Sequence, residues 1–259
     1  MCIEKMNSKC SMSIAGLDPS GGAGILADCK TFHAHGIYAT CVVTAITAQN
    51  PFNVSGIEKI DVNLIEEEIN QIIDVYPIEY IKTGMLYSGG IVKIVSKKIK
   101  EYQLKAVVDP VMISESGKNL TNESYVDSMR KYLLKKSYII TPNVHEAEKL
   151  SNIPITSQED MIYVAEKLSK SNSVVVTGGH MQGNDILFTD DKIFEITGKL
   201  IDTNNTHGTG CTYSSAVTSQ LIKGYSLHES CKKSNEFIQN SIKHGFNKTP
   251  YQFWNSIQF

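Results

Sequence analysis

Short apolar runs alternate with longer stretches of helical periodicity along most of the chain. The run Ala106-Val107-Val108 is apolar on successive residues, as expected of a strand that helices cover on both faces. Strands are predicted at residues 11–15, 39–47, 80–83, 106–109, 138–141, 174–177, 186–189 and 192–196. Helices are predicted at residues 24–35, 63–75, 91–102, 123–134, 145–151, 157–169, 209–223 and 227–244. This alternation predicts a three-layer α/β/α sandwich with a mainly parallel central sheet.

The last two predicted strands are separated only by Asp190 and Asp191, which predicts a hairpin at one edge of the sheet. No low-complexity linker and no repeat of fixed period interrupts the pattern, so residues 1–259 are expected to form one domain. Ligands of such sheets bind beyond the carboxyl ends of the strands, where loops lead into helix N-termini. Glycine, aspartate and asparagine are concentrated in these loops, so we expect the functional site there.

Composition narrows the function only by exclusion. The chain is 41% hydrophobic and 20% charged, which is typical of a globular protein. Its net charge of −2 provides no general field that would attract nucleic acid or an acidic membrane. The longest apolar-rich stretch, residues 38–48, is too short to span a bilayer. With scattered cysteines and no apolar signal core in residues 1–10, a cytoplasmic location is expected.

A glycine-rich turn follows the first predicted strand, at residues 14–24 (IAGLDPSGGAG). Glycines there allow positive φ angles and a close approach of a ligand to the backbone. Asp28 lies about one turn into the following helix, from which it could accept hydrogen bonds from a polar ring. A simple turn followed by a surface aspartate explains the pattern equally well.

A second motif, residues 205–212 (NTHGTGCT), precedes a helix of small residues. Gly208 and Gly210 allow backbone N–H groups to converge at the helix N-terminus, which would form an anion hole for a transferring phosphoryl group. Cys211 is placed to take a proton from an attacking hydroxyl, and the helix dipole would favour its thiolate. The alternative is a small buried cysteine with no chemical role.

A third motif, residues 141–148 (TPNVHEAE), closes a predicted strand and opens a helix. Asn143 and Glu146 are three residues apart, so they can share one face and hold a hydrated Mg²⁺ beside nucleotide phosphates. An asparagine-capped helix with a capping-box glutamate explains the same spacing. Asp109, at the end of another predicted strand, is a further candidate for the metal region.

Together these motifs resemble the hydroxymethylpyrimidine/phosphomethylpyrimidine kinases of thiamine biosynthesis, which have the ribokinase-like fold. Matching segments occur in order within residues 13–24, 27–32, 44–50, 82–86 (KTGML), 108–112 (VDPVM), 141–147, 177–180 and 206–212 (THGTGCT). The resemblance implies a homodimeric enzyme that uses ATP with Mg²⁺. Such an enzyme phosphorylates the hydroxymethyl group of a pyrimidine and then converts the monophosphate to the diphosphate.

The resemblance also assigns roles to residues by position. It implies pyrimidine contacts at Gly16, Asp28, Gln49, Met85 and Val111, and an anion hole at Gly208, Gly210 and Cys211, with Cys211 as the base. It implies nucleotide contacts at Asn143, Thr177, Gly179, Thr206 and Thr209, and metal contacts at Asp109 and, through water, Glu146. The chain departs from some family members at Thr177 and Asn235, where those members have lysine, so fewer cations would face the triphosphate.

Two other functions remain open on the sequence. A pyridoxal kinase would share the fold and the anion hole, although Gln49 suits the two-faced hydrogen bonding of an aminopyrimidine. A non-catalytic pyrimidine sensor would use the same scaffold, but it would not need Asn143, Glu146 and Cys211 for phosphoryl transfer.

Overall fold

The central feature of the fold is a mixed β-sheet. The computed structural model describes residues 9–113, 117, 120, 124–170, 172–179 and 183–252. In these residues the strands are β1 (Cys10–Leu17), β2 (Tyr38–Asn50), β3 (Asn53–Lys59), β4 (Tyr80–Thr83), β5 (Lys105–Val108), β6 (Ile139–Ile140), β7 (Ser173–Val176), β8 (Asp185–Thr189) and β9 (Lys192–Ile196). Their order is β3-β2-β1-β4-β5-β6-β7-β8-β9. The six strands from β2 to β7 in this order are parallel, whereas β3, β8 and β9 are antiparallel to their neighbours.

Helices cover both faces of the sheet. They are α1 (Gly24–Ala34), α2 (Val62–Val75), α3 (Gly89–Glu101), α4 (Ser124–Ser128), α5 (Val144–Ser151), α6 (Gln158–Leu168), α7 (Thr209–Ile222) and α8 (Leu227–Lys243). Residues of α2 to α6 form one hydrophobic core with the sheet, and residues of α7 and α8 form a second core on the opposite face. The predicted three-layer α/β/α sandwich with a mainly parallel sheet is confirmed.

The successive apolar residues of β5 are explained by these two cores. Val108 packs into the core beneath α2 to α6, whereas Val107 packs into the core beneath α7 and α8. Successive side chains of a strand point to opposite faces, so a strand covered on both sides needs apolar residues at each position.

One strand was not predicted. β3 pairs antiparallel with β2 and forms the edge of the sheet opposite β9. The register shifts between Ala48 and Gln49 of β2, because β3 has one extra residue there. Val54 and Ile57 are therefore three residues apart in β3, although their partners Gln49 and Thr47 are two apart in β2. The bulge therefore hides the period of two by which the strand would be recognised. The predicted hairpin of β8 and β9 at the other edge is confirmed.

The predicted helix at residues 123–134 is wrong in detail. Position 123 lies outside the described residues, and α4 is followed by a π-helical turn at Met129–Leu133 and a 3₁₀ turn at Leu134–Lys136. The Ser96 hydroxyl donates a hydrogen bond of 2.6 Å to the carbonyl of Tyr132, which competes with the helical ladder for that acceptor. None of the described helices is long and apolar enough to cross a membrane.

Because the six parallel strands run in one direction, their carboxyl ends meet at one edge of the sheet. β1 ends there at Leu17, β5 at Val108, β6 at Ile140 and β7 at Val176. The motifs at residues 14–24 and 141–148 adjoin the ends of β1 and β6, and the motif at residues 205–212 leads into α7.

Candidate active site

A cavity of about 330 Å³ lies at this edge of the sheet, between the strand ends and the N-terminus of α7. The predicted site residues that line it are Gln49, Asp109, Val111, Asn143, Glu146, Thr177, Gly179, Thr206, Gly208, Thr209, Gly210 and Cys211. Ala23 of the glycine-rich turn lines it as well, so the structure brings the three motifs into one site. Gly16, Asp28 and Met85 do not line it.

The wall of the cavity includes the start of α7. Gly208 is the N-cap residue with φ +87°, a conformation that favours glycine, and a Cβ atom there would overlap the carbonyl oxygen of Gly22. The Thr209 N–H donates to the carbonyl of Thr206 at 3.1 Å, which tightens the turn into the helix. The unpaired N–H groups and dipole of a helix N-terminus favour anions.

Cys211 is half-buried, and the backbone N–H of Gly24 at the start of α1 lies near its sulfur. Burial raises the pKa of the Cys211 thiol to about 12, although the charge of Lys82 and the Gly24 N–H lower it. Burial of the sulfur therefore opposes the helix dipole, which was expected to favour the thiolate. Desolvation outweighs the dipole at this depth.

The structure corrects the placement of Asp28. Its side chain is fully buried, with Oδ1 2.8 Å from Lys82 Nζ and also 2.8 Å from the Ser215 hydroxyl. Oδ2 accepts from the Ser13 hydroxyl at 2.5 Å and from Lys82 at 3.0 Å. All its acceptor positions are thus occupied beneath the cavity floor, and in this structure Asp28 cannot also bind a ring in the cavity.

Gly16 and Met85 also lie beneath the residues that line the cavity and do not line it themselves. Both are buried, and a Cβ atom at Gly16 would overlap the Met85 side chain. Met85 packs in a small apolar cluster with Val111 and Leu120, and these two residues do face the cavity. Gly16 and Met85 therefore shape the site through Val111 and Leu120 in this structure.

Lys82 is the buried cation of the site. Its ammonium group lies 2.8 Å from Asp28 and 3.8 Å from Asp109. Burial by itself lowers the pKa of Lys82, but its charged neighbours, Asp28 first among them, raise it above its ordinary value. Lys82 is therefore a fixed positive charge beneath Asp109 and Cys211.

Asn143 and Glu146 form a capping box at the start of α5. Asn143 Oδ1 accepts from the Glu146 N–H at 2.9 Å, and Glu146 Oε2 accepts from the Asn143 N–H at 3.0 Å. The capping alternative left open by the sequence is therefore present, and both residues line the cavity as well.

Two carboxyl groups in this wall have raised pKa values. Burial, together with the charge of Asp109, raises the pKa of Glu146 to about 8. Burial also raises the pKa of Asp109 to about 6, despite the nearby charge of Lys82. Two carboxyl groups in one wall suit a divalent cation. Mg²⁺ in proteins is typically bound by one or two carboxylates and several waters. Among the described residues, no group of three or more His, Cys, Asp or Glu side chains is placed to hold a metal ion.

Part of the cavity lining was not predicted from the sequence. This part includes the apolar residues Leu200, Ile201, Ile238 and Ile242. An apolar Leu-Ile pair in a polar loop, and two isoleucines four residues apart on α8, were the available signals.

Asp185 and Asn235 also belong to this part of the lining. The Asn235 amide donates to Asp185 Oδ2 at 2.8 Å, and the Gly178 N–H donates to Oδ1 at 3.0 Å. Burial raises the pKa of Asp185 to about 6. Where some family members are cationic, this chain has a neutral amide beside a buried carboxyl group. Lys199 lies in the lining nearby.

Comparisons with known proteins agree with this geometry. The phosphomethylpyrimidine kinase family model matches residues 18–253. A hydroxymethylpyrimidine/phosphomethylpyrimidine kinase of Bacillus subtilis is 37% identical over 240 residues, which are 90% of this chain and 89% of that protein.

Solved structures give the same result for the fold. The phosphomethylpyrimidine kinase of Clostridium difficile superposes with a TM-score of 0.81 at 37% identity, covering 91% of this chain and 100% of that chain. An ADP complex of a Bacillus subtilis pyridoxal kinase superposes with a TM-score of 0.84 at 36% identity, covering 92% and 93%. The chain therefore belongs to the phosphomethylpyrimidine kinase family and is a phosphotransferase with a ribokinase-like fold.

Proposed function

We propose that the protein phosphorylates 4-amino-5-hydroxymethyl-2-methylpyrimidine with ATP, and then phosphorylates the monophosphate, in thiamine biosynthesis. The observation that carries this proposal is that the α7 N-terminus and Cys211 line one cavity together with Gln49 and Val111 and with the apolar residues Leu200, Ile201, Ile238 and Ile242. Family membership supports the reaction class.

Gln49 and Val111 line the part of the cavity assigned to the pyrimidine. The Gln49 amide can donate and accept at once, which matches an aminopyrimidine edge. Its Oε1 lies 3.2 Å from the Thr47 hydroxyl, which helps to fix the orientation of the amide. Leu120 and Val111 provide an apolar surface for the ring. Asp28 acts indirectly in this scheme, because it holds Lys82 beneath the floor.

The anion hole and the base are assigned to the start of α7. The N–H groups around Gly208 and Gly210 stabilise the charge that builds up on the transferring group. Cys211 is the proposed base for the hydroxymethyl proton. Because burial raises the pKa of the thiol, base catalysis requires that this pKa falls when substrates bind. Lys82 and the Gly24 N–H are the groups of this chain that favour the thiolate.

ATP and Mg²⁺ are assigned to the remaining wall. Asn143, Thr177, Gly179, Thr206 and Thr209 are the proposed nucleotide contacts. The apolar patch of Leu200, Ile201, Ile238 and Ile242 suits the adenine ring. Asp109 and, through water, Glu146 would hold Mg²⁺, which supplies charge neutralisation between the phosphates when bound.

A coupled ADP-release assay tests the proposal. We expect ATP-dependent turnover with hydroxymethylpyrimidine and with its monophosphate, and no turnover without Mg²⁺. Absence of activity with both pyrimidines in a folded, Mg²⁺-supplemented preparation would refute the assignment.

A second candidate is phosphorylation of pyridoxal, because a pyridoxal kinase shares this fold at 36% identity. The same assay with pyridoxal separates the two activities. The ratio of kcat/KM values decides which substrate the cavity favours, and Gln49→Ala should lower it for the pyrimidine more than for pyridoxal.

A homodimer, a single domain over residues 1–259 and a cytoplasmic location remain predictions. Light scattering coupled to size-exclusion chromatography tests the first, limited proteolysis the second, and cell fractionation the third.

A further inference from the structure

A buried hydrogen bond joins two residues that the proposed chemistry does not use. His207 Nε2 lies 2.7 Å from Asp18 Oδ2, and both side chains are less than 5% exposed. Asp18 also accepts the Ser20 N–H at 2.9 Å and the Ala23 N–H at 3.0 Å. Burial alone would raise the pKa of Asp18, but hydrogen bonds from His207 and Ser20 hold it below its ordinary value. Asp18 is therefore a carboxylate, and His207 is the donor.

The two residues belong to two loops that touch through their backbones. We call residues 18–24 the glycine loop and residues 205–210 the anion loop. A Cβ atom at Gly22 would overlap the His207 ring, and one at Gly208 would overlap the Gly22 carbonyl. The Gln252 amide donates to the same Gly22 carbonyl at 3.3 Å from the C-terminal side. Nothing larger than glycine fits at these two positions between the loops. The Asp18–His207 hydrogen bond joins the same two loops through their side chains.

This link reaches the proposed base from both sides. On one side, Asp18 binds the Ala23 N–H, and the next N–H in the chain, that of Gly24, lies near the Cys211 sulfur and lowers the pKa of its thiol. On the other side, His207 precedes Gly208, the N-cap of the helix that carries Cys211 in its first turn. The contact between Gly24 and Cys211 therefore spans the same junction as the Asp18–His207 bond.

We propose that Asp18 and His207 are positioning residues for phosphoryl transfer: their bond locks the glycine loop to the anion loop and holds the Gly24 N–H against Cys211. His207 lines the cavity beside Gly208, but the positioning role does not require either residue to touch the substrates. When the bond is broken, the anion-hole amides move relative to the acceptor, and Cys211 loses a donor that favours its thiolate. This inference rests on the role proposed for Cys211 above.

The experiment compares His207→Leu with His207→Gln. Leucine removes the donor but keeps bulk, whereas glutamine retains an N–H that can reach Asp18. Misplacement of catalytic groups typically costs about 10²-fold in rate. We expect kcat of His207→Leu to fall by about that factor, with KM values for ATP and pyrimidine within about threefold of wild type. His207→Gln should recover most of the loss.

A second readout does not depend on turnover. The rate of Cys211 alkylation by iodoacetamide is followed against pH by peptide mass spectrometry, which separates it from the other cysteines. The charged groups near the Cys211 sulfur are Lys82 from β4, Asp109 after β5 and Asp28 from α1, and none of these changes in the variants. Because the pKa of the thiol is about 12, only the rising part of the profile is accessible. We expect the rate at each accessible pH to be lower in His207→Leu and near wild type in His207→Gln.

A matched control is Ser157→Ala, which removes the N-cap of α6 outside the cavity lining. It should lower stability without changing kcat or the alkylation profile. If His207→Leu does not fold, Asp18→Asn, which keeps the shape of the side chain but removes its charge, takes its place with the same expected directions.

Three results overturn the inference. They are unchanged kcat and alkylation in the folded variant, a loss that glutamine does not recover, and a loss that Ser157→Ala reproduces at equal stability. An inactive wild-type protein with the expected alkylation shifts would instead refute the proposed function and leave the positioning role intact.

Discussion

Lys82 Nζ lies 2.8 Å from Asp28 Oδ1, and neither side chain is exposed to solvent. The two residues are 54 positions apart, on β4 and α1, and they meet beneath the floor of the active-site cavity. Burying the two charges costs free energy, which their attraction offsets. Removing only one of them leaves the other buried without a partner, so we expect a variant to be stable only if both are replaced.

Asp28→Ala should therefore destabilise the fold rather than weaken pyrimidine binding alone. Removing one partner of a buried pair costs about 3–5 kcal/mol in the free energy of unfolding. The double variant Asp28→Ala/Lys82→Met should recover much of this loss, as measured by urea denaturation. As a control, Glu79→Ala breaks the exposed pair with Lys105 and should cost at most about 1 kcal/mol. A stable, folded Asp28→Ala protein with only its pyrimidine affinity reduced would restore the ring-contact interpretation.

Cys211→Ala should lower kcat by about 10²–10⁴-fold, the usual loss for a positioned base. Pyrimidine affinity, measured by calorimetry, should change little. Cys211→Asp should retain part of the activity, because a carboxylate at that position can also accept the hydroxymethyl proton. Cys29→Ser, at a thiol outside the cavity lining, is the control and should leave kcat unchanged. A folded alanine variant with wild-type turnover would contradict the base role and leave only the anion hole.

Glu146→Gln should flatten the pH dependence of stability. The folded-state pKa of Glu146 is about 8, above the ordinary value of 4.5, so the folded protein holds a proton that the unfolded chain releases between these values. The stability this provides is present at low pH and lost as pH rises toward 8, by up to about 1.4 kcal/mol per pH unit. Thermal melting from pH 5 to pH 9 should show a smaller fall for the variant than for wild type.

The matched control for Glu146→Gln is Asp160→Asn at the same position of the α6 capping box. Hydrogen bonds from Thr156 and Ser157 lower the pKa of Asp160, so it titrates below this window. Equal slopes for wild type and Glu146→Gln would show that Glu146 is ionised in the folded state. The Mg²⁺ concentration for half-maximal activity should also rise in Glu146→Gln, which separates metal binding from capping.

Asn235→Lys should strengthen ATP binding. The Asn235 amide lies 2.8 Å from Asp185, so a lysine there would place an ammonium group beside a buried carboxyl group and the nucleotide wall. A charged hydrogen bond contributes about 1.5–3 kcal/mol, and we expect the KM for ATP to fall by about tenfold or less, since part of the gain neutralises Asp185. Asn235→Gln, which adds length without charge, should show no fall. An unchanged KM in the lysine variant would place the triphosphate away from α8.

Much of the fold could be predicted because the sheet is covered on both faces. The strand predictions at β4 and β9 have the observed bounds, and the others differ by a few residues at their ends. β3 was missed because an extra residue, Ser55, opposite Ala48 and Gln49 of β2, breaks its alternation. Such a shift depends on the partner strand, so the pattern of one segment cannot show it.

The site was predicted where a motif is local and missed where it depends on distant partners. The capping box of Asn143 and Glu146 could be recognised from their spacing alone. The burial of Asp28 could not, since it follows from Lys82 on another strand. For Cys211 the helix position was correct, but the protonation state depends on desolvation, which becomes known only from the packed structure.

The backbone contact between Gly22 and Gly208 has a consequence for how this protein can change. A side chain added at either position collides with the other loop, so improvements that require a larger residue in one loop are accessible only when the other loop changes in the same step. Directed evolution by single substitutions will therefore leave Gly22 and Gly208 unchanged, whereas libraries that exchange the two loops as a matched pair from one homologue can replace both together.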